Sequence, residues 1–406
     1  MKRSNAASVA LTLFAATCTL ELGCSSSGSP IAAIAGDSSG GATNAGAPNG
    51  GATGGDVASG GSISGGAAGS LGVSGAPNTR TSDIPTNGWA SGVPAISDGK
   101  AITYYPAIDN AAMGDYQAPG GGGTYVAQIV PLVTGGYQAA LLHAFDVPAD
   151  VPVAILKGTA ANNRVTFTGG GWSATLESGQ FTGQNAAEQF SLTYVDHASK
   201  TLGAPPPANA VVLFDGTNLD AWAKKDATNW LQAAGPAGWK LVDGGAVEVV
   251  PGADGIITQK NFGDYHLHLE YRTIGSPTNS GVLLEGRYES NINEVYGLYD
   301  KSPGGGFDNC TPAAAKIKIR AALAPLAWQT LDIDFTAPRF DAANKKIASA
   351  NATVDLNGVR IYDQMQLDPP TGGAARFGEA PTGPVMLQEH GMALQFRNIW
   401  LVESPQ

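Results

Sequence analysis

The chain has 406 residues, with 55 Gly, 25 Pro, 14% charged residues and a formal net charge of -11. An acidic chain this poor in Lys and Arg is repelled by phosphate backbones, which excludes a typical nucleic-acid binder. Long amphipathic helices rich in Ala, Leu, Glu and Lys are missing too, and short apolar alternation broken by Gly, Pro and Asn predicts an all-β protein.

The opening residues, MKRSNAASVALTLFAATCTLELGC, set Lys2 and Arg3 ahead of an apolar run from Val9 to Leu20, the layout of a secretory signal peptide. The run is too short for a stable membrane span. It ends at Gly23 and Cys24, which resemble the lipobox where bacterial lipoproteins are cleaved and acylated, although Glu21 stands where that box usually has Leu. Residues 1–23 are therefore expected to be removed and Cys24 to carry lipid. Ser25, where an Asp would retain the protein at the inner membrane, points to the outer membrane, facing the periplasm or the cell surface. An ordinary cleaved signal is the alternative. With Cys18 removed and Cys24 lipidated, Cys310 would be the one remaining thiol, so no intramolecular disulfide is expected.

Residues 24–84 are expected to form the lipidated Cys and a disordered tether, because Gly, Ala, Ser, Asn and Thr dominate and no aromatic residue lies between Phe14 and Trp89. GDSSG at 36–40 matches the G-x-S-x-G pattern of serine hydrolases. It lacks the flanking strand and helix of a nucleophile elbow and reads as chance.

Residues 85–205 hold TYVAQIVPLV, GYQAALLHAF, RVTFTGG, GWSATLES and EQFSLTYV, separated by Gly, Asn and Asp turns. This predicts a small antiparallel β meander or barrel. His143, Asp146 and His197 have no spacing that a metal or a triad demands, and no chemistry is assigned here. The Pro-rich LGAPPPANA at 202–210 marks the boundary to a second domain, 206–406, and that domain is expected to fold without the first.

The second domain contains nine or ten alternating segments, among them YHLHLEYRTI, SGVLLEGRYESNIN, WQTLDIDFTAPRF and LQFRNIWLVES. Asn357-Gly358 in VDLNGVRIY is a strong type I′ hairpin signal. The pattern predicts a jelly-roll or lectin-like β-sandwich whose polar outer face forms a ligand groove. Read as one strand, residues 282–293 put Val282, Leu284, Tyr288 and Ile292 on one face, with Leu283, Glu285, Arg287, Glu289, Asn291 and Asn293 on the other. The second face is either plain solvent surface or a sugar groove, in which Arg, carboxylates and amides meet several hydroxyl groups. In MLQEHG, Met386, Gln388 and His390 share a face more polar than a core strand allows. His266, His268 and Glu270 imitate metal-ligand spacing. Since Tyr265, Leu267, Leu269 and Tyr271 form the buried side there, those histidines are expected on a solvated face.

VVLFDGTNLDAW, WKLVDGGAVEV, NSGVLLEGRYE, LAWQTLDIDFTAPRFD, VDLNGVRIYD and LQEHGMALQFRNIWL, in this order over residues 211–403, resemble the 3-keto-disaccharide hydrolase family. The resemblance implies a concanavalin-like sandwich and cleavage of 3-keto-glycosides. Asn291 stands where the family commonly has Gln, and NCTPAAAKIKIRAALAPLAWQ departs from its usual loop, with Arg320 near the usual Asn. A ketone at C3 acidifies the C2 proton, so one base suffices for elimination of the C1 substituent, followed by rehydration. Glu289 or His390 is the expected base, and Arg287 or a divalent cation would stabilise the enolate. Glu289 and His390 are also the expected ligands if such a cation binds. Gln388, Glu285 and Asn291 would hold hydroxyl groups, and Lys316, Lys318 and Arg320 either form a basic rim, with Lys318 at the substrate, or guard an edge strand. The partners expected are a carbohydrate substrate and a membrane reached through the lipid. The alternative function is a non-catalytic carbohydrate-binding lipoprotein.

Overall fold

The computed structural model describes residues 112–132, 134–145, 152–276, 278–293, 295–299, 306–307, 319–392 and 394–405, with short strands at Ile96–Ser97, Lys100–Ala101 and Thr103–Tyr104. The expectations for the signal peptide, Cys24, the tether, Asp146, Cys310, Lys316 and Lys318 lie outside the described residues. Within them the protein is all-β apart from a short 3-10 helix at Gly372–Phe377.

Gly114–Gln117, Val126–Pro131, Tyr137–Leu142, Ala154–Ala161, Arg164–Gly169, Trp172–Glu177, Gln180–Gln184 and Gln189–Val195 pair antiparallel, each with its neighbour in sequence. Gln189–Val195 closes on Gly114–Gln117, so the expected meander is a closed barrel. Ile129, Leu141, Leu156, Val165, Phe167, Leu176, Phe181 and Leu192 fill it. Trp172–Glu177 alternates buried and more exposed positions, as a half-solvated strand should. Val126–Pro131 and Tyr137–Leu142 are buried at every position. Their outer side faces the second module rather than water, and Met113 and Val130 join that module's core.

The second module is the expected sandwich. Its back sheet runs Lys240–Val242, Ala246–Glu248, Leu394–Glu403, Tyr265–Thr273, Gln329–Thr336, Ala350–Leu356 and Val359–Leu367, with Val211–Phe214 also paired to Leu394–Glu403. The front sheet runs Ala233–Pro236, Trp222–Lys225, Ile256–Thr258, Met386–Leu387, Asn279–Leu284 and Tyr288–Asn293. Leu267, Leu269, Val282, Leu284, Tyr288, Ile333, Leu387 and Phe396 share the core between the sheets. Asn357 and Gly358 have φ of 56° and 75°, the left-handed pair expected for the hairpin that joins Ala350–Leu356 to Val359–Leu367.

The Pro-rich junction is not a free linker. Gly203 donates its backbone N–H to Glu270 Oε1 at 2.6 Å, and Asn398 Nδ2 and Trp400 Nε1 donate to Ala204 O at 3.0 and 3.2 Å. Ser199 and Thr201 bond Thr330 and Asp332 on the same sheet. This cover explains why His268 is fully buried instead of solvated, as its spacing had suggested.

Candidate active site

Residues 282–293 are a hairpin rather than one strand. Asn279–Leu284 and Tyr288–Asn293 pair antiparallel, and Glu285, Gly286 and Arg287 connect them. Glu285 and Gly286 adopt φ of 53° and 61°, and the Arg287 N–H donates to Leu284 O at 2.9 Å. Gly accepts such a φ freely, whereas Glu285 is held in it by its surroundings.

An odd number of connecting residues preserves facing parity across the hairpin. Ser280, Val282, Leu284, Tyr288, Ser290 and Ile292 therefore point to the core and are buried. Asn279, Gly281 and Leu283 share the outer face with Glu289, Asn291 and Asn293, directly opposite them. The registers extend this row across the sheet, Glu289 to Leu283, Leu283 to Met386, Met386 to Ile257 and Ile257 to Ala223. The last four form an apolar floor covered by Trp230. Trp230 is fixed by its Nε1 bond to Gly286 O at 2.9 Å and by contact with Phe377 and Arg376.

One step along the strands the surface turns polar. A Cβ on Gly281 would lie 2.5 Å from Glu289 Oε1, so the missing side chain makes room for the Glu289 carboxylate to lean back across the sheet. Gln388 extends the neighbouring strand by donating its N–H to Gly281 O at 2.9 Å, and its side-chain Oε1 is buried without a hydrogen-bond partner among the described residues. Beyond it, His390 is exposed with Nδ1 3.3 Å from Asn279 Nδ2. Asn279 lies two positions from Gly281, about 7 Å along the strand at about 3.4 Å per residue. Glu289, Asn291, Gln388 and His390 are thus gathered at one end of one face.

Glu285 and Arg287 do not join them. Glu285 is in the turn with no exposed surface, and burial, only partly offset by Arg287, pushes its carboxyl up to about 8. Arg287 is 5% exposed and donates to the backbone carbonyls of Gly378, Glu285 and Thr382, pinning the loop behind the turn. The expected enolate contact from Arg287 and the hydroxyl contact from Glu285 are corrected accordingly, because alternation breaks where the chain reverses. Arg320 bonds Leu298 O and Tyr299 O at 3.2 and 3.4 Å and lies over the Tyr299 ring, so it secures a turn rather than a basic rim. Among the described residues no group of three His, Cys, Asp or Glu side chains could hold a metal ion, and Glu289 with His390 falls short of such a set.

Three contributors escape the sequence reading: Thr371, Asn279 and Gly281. Thr371 Oγ1 accepts the Glu289 N–H at 2.9 Å, and Thr371 N–H donates to Arg287 O at 2.8 Å, tying the free edge of the site strand to a loop distant in sequence. No local pattern signals it. Asn279 and Gly281 were legible, since they share the parity of Leu283.

The other histidine cluster is saturated. His268 Nδ1 lies 2.6 Å from Asp332 Oδ1, its Nε2 lies 3.3 Å from Asn398 Nδ2, and Trp400 stacks on the ring. Burial opposes its charge, but the bonds to Asp332 and Glu270 prevail and raise it to about 9. Burial likewise opposes the Glu270 charge, and bonds from His268, Asn398, Arg397 and Gly203 lower that carboxyl to about 2. His266 pairs with Asp334 at 2.7 Å at the sheet surface.

Residues 209–402 match the family model of the 3-keto-alpha-glucoside-1,2-lyase-like domain. Crystal structures of proteins from Parabacteroides distasonis ATCC 8503 whose names assign them to the glycosyl hydrolases are similar in part. One is 28% identical over 49% of this chain and 85% of its own, at a TM-score of 0.42. Another is 16% identical over 48% of this chain and 94% of its own, at 0.35. No curated protein matches the chain. The sandwich, with its hairpin, groove and closing strand, is the part of the chain that matches this 3-keto-alpha-glucoside-1,2-lyase-like family model, and the match supports a glycoside-processing function.

Proposed function

We propose that the outer face of the front sheet cleaves 3-keto-glycosides by elimination and rehydration. The observation that carries this reading is the Glu289 carboxylate, half-buried over Gly281 and flanked by amides. Among the described residues it is the one carboxylate on the outer face of the hairpin, since Glu285 is buried in the turn, and the nearby Glu389 accepts the Gly391 N–H. A conventional glycosidase needs two carboxyl groups about 5 to 9.5 Å apart across the scissile bond. An elimination needs one base.

Glu289 takes the C2 proton and the electron pair moves into the enolate of the C3 ketone. The enolate then expels the C1 oxygen, which leaves with a proton from His390. Water then adds to the new C1–C2 double bond, its oxygen to C1 and one of its protons to His390, while Glu289 returns its proton to C2, which completes a net hydrolysis and restores both groups. Gln388, Asn291 and Asn279 hold the ring hydroxyls through their amides.

The burial of Arg287 away from the face favours a second reading, a non-catalytic carbohydrate binder, because it removes the cation expected beside the enolate. Incubating the purified protein with a 3-keto-glucoside and following release of free sugar separates the two: a binder retains the ligand without turnover. We also propose that Cys24 carries lipid and tethers the protein to the outer membrane; Cys24→Ser should move it to the soluble fraction, and unchanged fractionation would overturn that anchor. No helix among the described residues is long and apolar enough to cross a membrane.

A further inference from the structure

The hairpin bearing Glu289, Asn291 and Asn279 is gripped at both of its open ends by chain from before residue 140. On the entry side, Gly275–Ser276 pairs antiparallel with Thr103–Tyr104, three residues ahead of Asn279. On the exit side, Val295 to Tyr299 forms a turn seated on the barrel. Tyr296 Oη donates to the buried Asp115 at 2.6 Å, and Gln138 Nε2 donates to Gly297 O at 2.7 Å. Gly297, at φ 65°, lies so close to Val130 that a Cβ there would be 3.1 Å from it. Asp115 is itself fixed by His197 at 3.0 Å and Gln128 at 3.3 Å.

We infer that the barrel is a positioning part of the groove rather than a separate accessory domain, with Tyr296 and Asp115 as the positioning pair. The physical reason lies in the edge. Tyr288–Asn293 is the last strand of the front sheet, so only one neighbour holds it by a ladder. Its outer N–H groups are met singly, Glu289 by Thr371 and Asn291 by Gly306 O at 3.0 Å. Such a strand frays from its open end unless the chain beyond it is fixed. The Tyr296–Asp115 bond supplies that fixed point three residues past Asn293, at the end where Asn279 meets His390. Positioning errors of about 1 Å cost on the order of 10²-fold in rate.

The inference rests on the proposed function for its kinetic readout but not for its structural one. Tyr296→Phe in the full-length chain removes one hydroxyl and keeps the ring, and Gln138→Ala tests the second contact. Hydrogen exchange of residues 279–299 should rise at least tenfold in Tyr296→Phe, with exchange in the far barrel strands Arg164–Gly169 and Trp172–Glu177 unchanged. On a 3-keto-glucoside, kcat should fall about 10-fold to 10²-fold with KM nearly constant. Arg164→Ala, in an exposed pair with Glu177 on the solvent side of the barrel, is the control and should change neither. Unchanged exchange in Tyr296→Phe overturns the clamp. If the wild-type protein shows no turnover, the proposed function fails, and exchange alone still decides the clamp.

Discussion

The two faces of the sandwich each carry a cluster of histidine, carboxylate and amide groups, and they differ in what those groups are bonded to. On the back sheet, His268, Glu270, Asp332, Arg397 and Asn398 bond one another and the junction at Gly203, under a stacked Trp400. On the front sheet, Gln388 keeps a buried oxygen without a partner among the described residues, Glu289 is half-buried and His390 is exposed. Saturated donors and acceptors hold a structure together, whereas an acceptor such as Gln388 Oε1, left without a partner among the described residues, can meet a ligand. Residue type alone would have ranked the back cluster first.

The strongest way to break this comparison is to exchange the roles by mutation. Glu289→Gln should reduce release of sugar from a 3-keto-glucoside by roughly 10² to 10⁴-fold, with little change in thermal midpoint. Near-normal turnover would remove Glu289 from the chemistry. His390→Ala should also lower kcat, and the loss should be smallest for substrates with acidic leaving groups, which need no proton donor.

Breaking the back cluster should do the opposite. Glu270→Ala leaves Arg397 without its carboxylate and the protonated His268 with Asp332 alone, and removing one partner of a buried pair costs about 3 to 5 kcal/mol. Denaturant unfolding should show that loss while the kcat of the folded fraction stays unchanged. A fall in kcat at full stability would place chemistry on the back sheet.

The clusters should also separate by pH. His268 is raised to about 9, above the ordinary value near 6.5, so its contribution is fully present below about pH 6.5 and is lost as pH rises through 9. That contribution is on the order of 3 kcal/mol. Glu285, raised to about 8, acts in the same direction: it favours the folded state as the neutral acid and destabilises it as pH rises through 8. Glu285→Gln should therefore leave stability near pH 4 unchanged and raise it above pH 8. An alkaline limb identical to wild type would show that this carboxyl is hydrated in solution.

Smaller effects sharpen the boundary of the site. Thr371→Val removes the acceptor of the Glu289 N–H and should cost about 1 kcal/mol in unfolding free energy. His266→Ala, beside an exposed Asp334 on the back sheet, should stay within about 0.5 kcal/mol and leave turnover intact. A large loss of turnover there would overturn the assignment of the front face.

Alternation was enough to read both modules as β structure and to place Glu289 and Asn291 on the face away from Val282 and Leu284, because side-chain direction follows from strand parity. The expected facing of Glu289 holds across an unrecognised turn only because the connection Glu285 to Arg287 has an odd length, and Gly286 within an alternating run was the available sign of that turn. The Asn357-Gly358 hairpin was legible for a local reason too, since few residues tolerate the left-handed pair it requires.

What the sequence by itself determined is therefore what depends on neighbours along the chain: strand periodicity, facing and turn chemistry. Tertiary structure decided the rest. Arg287 and Glu285 became buried because a loop at 371–383 closes over their turn, and His268 because the junction lies across its sheet. The seating of the 295–299 turn on Asp115 and Gln138 joins residues more than 150 positions apart. Burial of a polar group depends on which distant segment covers it and with what partners, and periodicity holds no information about that cover.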